Sequence, residues 1–290
     1  VPVPEKGPAV LPDVVALLRC PHCGADLAPD GSALRCPARH TFDIARQGYA
    51  NLLAGDAKAG TADTADMVAA RDAFLGAGHY RPIAAALAEA TADAARRAPG
   101  AVVDVGAGTG HYLAHALDAA PDRVGLALDI SKYALRRAAR AHPRAGAVVC
   151  DAWRPLPVRD AAAAALLNVF APRNPAELRR VLHPEGRLLV VTPTARHLGE
   201  LVGALGLLRV DDDKKARLDE ALDPHFTPVR ADVIGFPMNL TDTDVATVVG
   251  MGPSAWHTDP AELARRIAEL PRPHVVSAEV TLSVYAPRRA

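Results

Sequence analysis

One segment constrains this chain more than any other: Val102-Val-Asp104-Val-Gly106-Ala-Gly108-Thr-Gly110. A short apolar run ends in a glycine-spaced turn, and an amphipathic stretch starting at His111 follows. Glycines at alternate positions let a backbone turn sharply and approach a ligand closely. A strand, a glycine turn and a helix in that order bury themselves only in a parallel sheet with helices packed on its faces.

The rest of the chain repeats the pattern. Apolar runs at Ala101–Val105, Val124–Asp129, Ala147–Cys150, Ala163–Asn168 and Arg187–Thr192 read as strands. Helices are expected at His111–Leu117, Lys132–Arg140, Pro175–Leu182 and His197–Leu201, with Pro184-Glu185-Gly186 as a turn before a strand. Val233–Leu240 and Val275–Tyr285 read as two further strands with a helix after Asp242 between them. The charged stretch Arg209–Arg230 reads as an insertion or lid. The expected fold is α/β and Rossmann-like, a seven-stranded, mostly parallel sheet with an antiparallel pair near its end. Upstream, Asp66–Leu75 and Ile83–Arg97 have helical spacing, and Pro99-Gly100 stops the second of them.

The first 40 residues hold three of the four cysteines. Cys20, Cys23, Cys36 and His40 are spaced C-x2-C-x12-C-x3-H, which places two thiolates on one tight turn and closes a tetrahedral site with the second pair. A segment this small cannot hold itself by apolar burial, so a structural zinc ion has a physical purpose. His22 lies inside the first turn and is left out of the ligand set. Arg19, Arg35, Arg39 and Arg46 surround the site and could touch phosphate or simply face solvent. Three regions follow: residues 1–55, an N-terminal extension with the zinc-binding module; 56–100, a helical linker; and 101–290, the sheet domain.

The glycine spacing is not that of a dinucleotide fold, because the position three after Gly108 is His111 rather than glycine. Carboxylates stand at successive strand ends: Asp104 before the loop, Asp129 after the second strand and Asp151 after the third, followed by Ala152-Trp153. Such a set suits a cationic sulfonium, its ammonium group and a ribose, and would repel a pyrophosphate. The expected cofactor is S-adenosyl-L-methionine. Asp104 could otherwise be a helix cap or a solvated turn residue, and Asp129 a cap for the helix after Ser131. Asn168-Val-Phe170-Ala-Pro172 ends the fourth strand, where an aromatic ring can stack on a base or serve packing. The catalytic residue stays unassigned, with Asn168, Phe170 and His197 as candidates.

Composition limits the partners. Lys+Arg and Asp+Glu both number 33, so a polyanion must be met by a local patch. The twelve-residue scale of the longest apolar run, near Ala161–Pro172, is too short to span a bilayer, and Val1–Pro12 lacks the layout of a signal peptide. No membrane partner and a cytoplasmic location are expected. No stripe of interleaved basic and aromatic residues stands out. A homodimer is left open.

Several runs together resemble the bacterial 23S ribosomal RNA guanine-N1 methyltransferases: Leu18–Gly24, Leu34–Asp43, Ala45–Leu53, Met67–Arg71, Phe74–Tyr80, the Asp104 loop, Phe170–Pro172, Thr192-Pro193 with His197, and Met251–Trp256. Ala171–Pro175 and Ala264–Pro271 are most similar to the actinomycete tylosin- and mycinamicin-resistance branch. The resemblance implies a class I methyltransferase fold and methyl transfer to N1 of a guanine, near position ~748, in a domain II hairpin loop of 23S rRNA. It also implies resistance to 16-membered macrolides. It implies zinc on Cys20, Cys23, Cys36 and His40, and cofactor contacts from Tyr80, Thr109, Gly110 and His197, beside Asp104, Gly106, Gly108, Asp129 and Asp151 read above. Val1 to about Val15 has no counterpart in it. The rival readings are methylation of a neighbouring loop guanine as housekeeping, a small-molecule methyltransferase, and a non-catalytic RNA-binding module.

Overall fold

A computed structural model describes residues 12–53, 62–207, 214–252 and 259–288. The runs Val1–Leu11, 54–61, 208–213 and 253–258 lie outside them, and so does most of Met251–Trp256.

After a short helix α1 (Pro12–Val15), three strands, β1 (Ala28–Asp30), β2 (Ala33–Arg35) and β3 (Thr41–Asp43), form an antiparallel sheet in that order. Strand β4 (Tyr49–Asn51) and helices α2 (Ala65–Gly76) and α3 (Arg81–Arg97) follow. The alternating part runs β5 (Ala101–Val105), α4 (His111–Ala119), β6 (Gly125–Asp129), α5 (Lys132–Ala141), β7 (Ala145–Val149), β8 (Ala163–Val169), α6 (Pro175–Val181) and β9 (Leu182–Pro193). The chain continues through α7 (Gly199–Leu205), α8 (Lys214–Leu222), β10 (Phe226–Leu240), α9 (Asp242–Gly250), α10 (Pro260–Ala268) and β11 (His274–Pro287).

The large sheet has the order β10-β11-β9-β8-β5-β6-β7-β4. Its seven strands from β5 onward are the seven expected, with β11 antiparallel to both β9 and β10. The eighth, β4, comes from the cysteine-bearing segment and pairs parallel to β7, Ala50 opposite Val148. A three-residue strand leaves no periodic signal, which is why the sequence does not reveal it. The bond from Leu52 N–H to the Val149 carbonyl, at 3.0 Å, extends the pairing. Further ties are Arg19 N–H to Pro157 O at 3.1 Å and Arg159 N–H to Leu17 O at 2.9 Å. Val14 occupies the space a side chain at Gly146 would need, 2.6 Å from an added Cβ.

Strands covered on both faces are apolar throughout, and their alternation sorts residues into two cores. Val102 and Leu167 join one, with Ile83, Leu87, Leu113 and Leu135. Val103, Val105 and Leu166 join the other, with Leu18, Leu34 and Phe42 of the cysteine segment. Asp104 therefore points to the same side as Val102, toward α3 and α4.

Three local readings change. The described part of Arg209–Arg230 is not a lid: it is α8, whose Leu218 and Leu222 are buried, and the first turns of strand β10, whose Phe226 is buried. Pro184-Glu185-Gly186 lies within β9 as an irregularity, because pairing with β8 jumps from Ala163–Leu182 to Ala165–Arg187. The helix expected at His197 begins at Gly199, and His197 sits in the preceding turn.

Candidate functional site: a methyl-donor pocket beside a zinc site

The glycine turn after β5 shapes a cavity of about 460 Å3, within the range of small-ligand sites. Gly106, Gly108 and Gly110 all have positive φ, at 80°, 54° and 80°. At Gly106 an added Cβ would lie 2.3 Å from Ala171 Cβ. At Gly110, the N-cap of α4, it would lie 2.9 Å from Ala138 Cα on α5. The turn is thus pressed against β8 and α5, and the glycines are required on steric grounds.

Seven of the residues singled out in the sequence line this cavity: Tyr80, Gly106, Gly108, Thr109, Asp129, Asp151 and Phe170. Asp104, Gly110, Asn168 and His197 lie behind the lining. Asp104 is 1% exposed, and neither carboxylate oxygen has a hydrogen-bond partner. Burial, and secondarily the charge of Asp129, pushes its carboxyl up to about 8. It is neither a cap nor a solvated turn residue. A buried carboxylate left without donors fits an incoming cationic or N–H-bearing group, and the ammonium of a methionine moiety is one.

The cap of α5 is Ser131, whose hydroxyl accepts from Ala134 N–H, while Asp129 braces the loop. Its Oδ2 accepts from Gly108 N–H and its Oδ1 from Ser131 N–H, each at 2.8 Å. Each oxygen keeps a lone pair for a ribose hydroxyl. Asp151 accepts from Trp153 N–H at 2.9 Å. Trp153 and Phe170, 66% and 41% exposed, stand at the rim.

His197 acts through Tyr80. Its Nδ1 accepts the Glu279 backbone N–H at 3.2 Å, so the ring hydrogen is on Nε2 and points to Tyr80 Oη, 3.0 Å away. That leaves the Tyr80 hydroxyl hydrogen free to donate into the cavity. Asn168 is fully buried. Its Nδ2 donates to Val105 O at 3.1 Å and Pro172 O at 2.9 Å, fixing the β8 turn against β5.

The sequence did not single out Asp63, Arg71, His111, Tyr112 or Met251 as lining residues. Arg71 pairs with Asp63 and donates to Met251 O at 2.9 Å, so one guanidinium ties α2 to the end of α9 across the mouth. Arg71 and Met251 fell inside family-like runs, but no local pattern assigned them a partner. Burial lowers His111 to about 4, keeping it neutral at neutral pH. Cys150 also lines the cavity; burial raises its thiol far above its usual range, so it offers no thiolate nucleophile.

The second site is local to the cysteine segment. Donor atoms of Cys20, Cys23, Cys36 and His40 all lie within 4.8 Å of one another. His40 Nδ1 is 3.5 Å from Cys20 Sγ and 3.4 Å from Cys36 Sγ, the mutual spacing of ligands around one tetrahedral ion. His22 is outside the cluster, its ring stacked on Phe42 at 5.7 Å. Arg19 and Arg35 are engaged by Asp160 and Asp30, whereas Arg39 and Arg46 are exposed.

A family profile described as "RlmA, N-terminal", a zinc ribbon, matches residues 18–60, and one described as "Methyltransferase domain" matches residues 102–186. A Streptomyces fradiae protein named 23S rRNA (guanine(748)-N(1))-methyltransferase is 57% identical over 280 residues, covering 95% of this chain and 98% of its own. The chain belongs to the 23S rRNA guanine-N1 methyltransferase family. A Micromonospora griseorubida relative, provisionally named 23S rRNA (guanine-N(1)-)-methyltransferase, is 58% identical over 95% of this chain and 99% of its own. Among solved structures, geranyl diphosphate C-methyltransferase from Streptomyces coelicolor A3(2) overlays with a TM-score of 0.43 at 14% identity, over 70% of this chain and 76% of that one.

This methyltransferase is therefore an S-adenosylmethionine-dependent enzyme of the class I fold with a structural zinc ribbon. Among the described residues, no helix is long and apolar enough to cross a membrane.

Proposed function

We propose that this chain methylates N1 of the guanine corresponding to position 748 of 23S rRNA, the site named for the Streptomyces fradiae relative, and so protects ribosomes from 16-membered macrolides. The observation that carries the reading is the 57% identity across 95% of the chain, joined to a donor pocket whose buried Asp104 lacks a partner.

The residue roles belong to the same proposal. When bound, S-adenosylmethionine supplies an electrophilic sulfonium methyl. Asp104 and Tyr80 hold the amino-acid end, and Asp129 takes the ribose. Asp151 and Trp153 border the adenine. Cys20, Cys23, Cys36 and His40 hold the zinc ion.

Guanine N1 lies on the Watson–Crick edge, so the base must leave its stack to reach the pocket. Phe170, half-exposed at the rim with φ of 53°, offers a ring to receive it. Asn168 holds the Phe170–Pro172 turn in place. The bound donor would supply its methyl group to N1 and leave as the neutral thioether, and the N1 proton would pass to water, with main-chain carbonyls able to orient the guanine edge.

The reading places the enzyme in the cytoplasm with its ribosomal substrate. It allows a homodimer through the open face of β10–β11, where Val233 and Val275 are 63% and 50% exposed; light scattering checks this. Incubation with labelled methyl donor and unmodified 23S rRNA, followed by primer extension, should give a stop at position 748. A stop at a neighbouring loop guanine would indicate the housekeeping activity, and no stop in domain II would sink the reading. Expression in a macrolide-sensitive host tests the resistance.

A further inference from the structure

The methyltransferase must hold a polyanion although its charges balance overall. Most cations of the described residues are already engaged. On α10, Arg265 and Arg266 pair with Glu262, and Arg265 also pairs with Glu269. Arg123 and Arg144 donate to backbone carbonyls. Helix α5 differs. Its buried side is Ala134, Leu135, Ala138 and Ala139, and its exposed side carries Lys132, Tyr133, Arg136 and Arg140. Among the described residues none of these three cations has a carboxylate partner. Their neighbour Arg137, a little further round the helix, is paired with Asp72.

Tyr133 lies between two of the cations, with Lys132 Nζ 5.3 Å and Arg136 Cζ 5.6 Å from its ring centroid. A large aromatic ring left 37% exposed and flanked by unpaired cations matches a nucleotide, which offers a flat face and a phosphate together. This basic and aromatic stripe is invisible in the linear sequence, because only the helix brings Lys132, Arg136 and Arg140 to one face.

The position of the helix gives the face its direction. α5 starts three residues after Asp129, so Lys132 and Tyr133 lie at the pocket end, and Arg140 lies about 12 Å further along the axis at 1.5 Å per residue. Lys132 and Tyr133 also line a groove shared with Asp43, Tyr49 and Asn51 of the zinc-bearing segment. That groove meets the donor pocket at Asp63 and Ile130, which line both.

We propose that the outer face of α5 binds the RNA strand flanking the target guanine, with Lys132, Arg136 and Arg140 on phosphates and Tyr133 stacked on a base. This rests on the rRNA substrate reading above.

The test uses the full chain, zinc-loaded, and a domain II fragment of 23S rRNA. Fluorescence anisotropy is read from about 50 to about 200 mM salt. The variant K132A/R136A/R140A should bind the fragment more weakly, and its log–log salt slope should shrink by about 2, because each single-strand phosphate contact contributes roughly 0.7. Tyr133→Ala should lose about 10-fold in affinity at every salt concentration with the slope unchanged, and Tyr133→Phe should restore it. Melting temperature and S-adenosylmethionine affinity, measured by calorimetry, should match wild type in all three, which separates surface loss from misfolding. Wild-type RNA affinity and slope in the triple variant, from a wild-type enzyme that methylates the fragment, would overturn the proposal alone. A wild-type enzyme that neither binds nor methylates the fragment overturns the substrate reading and this proposal together.

Discussion

Burying Asp104 costs the fold stability whenever no cationic group faces it, and the size of that cost can be worked out. Its carboxyl is pushed from 3.8 up to about 8 by burial first and by Asp129 second. At about 1.36 kcal/mol per pH unit, that gap sets an upper figure of roughly 5–6 kcal/mol for ionising it in the folded chain. Water entering an open pocket raises the local dielectric, so about 2–4 kcal/mol is expected. The sign follows from linkage. Below pH 3.8 both states hold the proton and nothing is lost. Between 3.8 and about 8 the unfolded chain gives up a proton that the folded chain keeps, so stability falls as pH rises. Above about 8 both are ionised and the loss is complete. Asp104→Asn removes this slope while keeping the shape. About 1.5 kcal/mol of that loss has already accrued by pH 5, so urea melts of donor-free wild type and variant should show a stability gap that moves in the variant's favour by about 0.5–2.5 kcal/mol between pH 5 and pH 9. Any fixed penalty for burying the amide shifts both ends equally and drops out of that difference. The same variant should lose S-adenosylmethionine binding in calorimetry. A gap that stays constant with pH would refute the assignment of Asp104 as the pocket's uncompensated charge.

Three other outcomes are expected. Gly106→Ala, with φ of 80° and a Cβ 2.3 Å from Ala171, should displace the β8 turn and weaken donor binding at least 10-fold, on the order of 1.4 kcal/mol or more; unchanged affinity by calorimetry would contradict the tight packing. Tyr80→Phe should strand the His197 Nε2–H and lower stability by about 1–3 kcal/mol in urea melts, with weaker donor binding, whereas a neutral effect would mean that bond does not form in solution. Chelating the zinc, or Cys23→Ala, should lower the melting temperature of the main transition, at about 2–4 °C per kcal/mol, because Leu18, Leu34 and Phe42 share a core with the sheet; scanning calorimetry showing a separate small transition and an unmoved main one would argue against that.

The parts of the fold that were legible were those with dense local signals. Strands β5 to β9 could be read because strands buried on both faces are continuous apolar runs, whereas β11 and the second half of β10 were read from the alternation of apolar residues. The zinc ligands could be read because spacing alone sets whether two thiolates reach one ion. The lining residues Asp129 and Asp151 followed from strand ends, the places where a parallel sheet presents side chains to a ligand. Arg71 and Met251 did not, because their contact joins positions 180 residues apart through a backbone carbonyl, which leaves no trace in composition. The hydrogen bonds of His197 to Tyr80 and to Glu279 N–H were not legible for a similar reason, since their partners lie 117 and 82 residues away. The stretch at Arg209–Arg230 looked like a lid because an edge strand such as β10 carries Pro228, Arg230 and Asp232 where a central strand would carry valines, the usual protection of an open edge.

Strand β4 has a consequence for anyone who would cut this protein into pieces. A bead-like zinc ribbon could be deleted or traded between enzymes at a linker. Here, a truncation after residue 55 would strip β7 of its outer partner and leave the unpaired backbone of 147–149 in water. It would also empty the slot over Gly146 that Val14 fills. The trimmed chain would carry an adhesive sheet margin two residues from Asp151. The zinc-bearing segment and the methyltransferase domain share one sheet, so neither can be cut away without exposing the other.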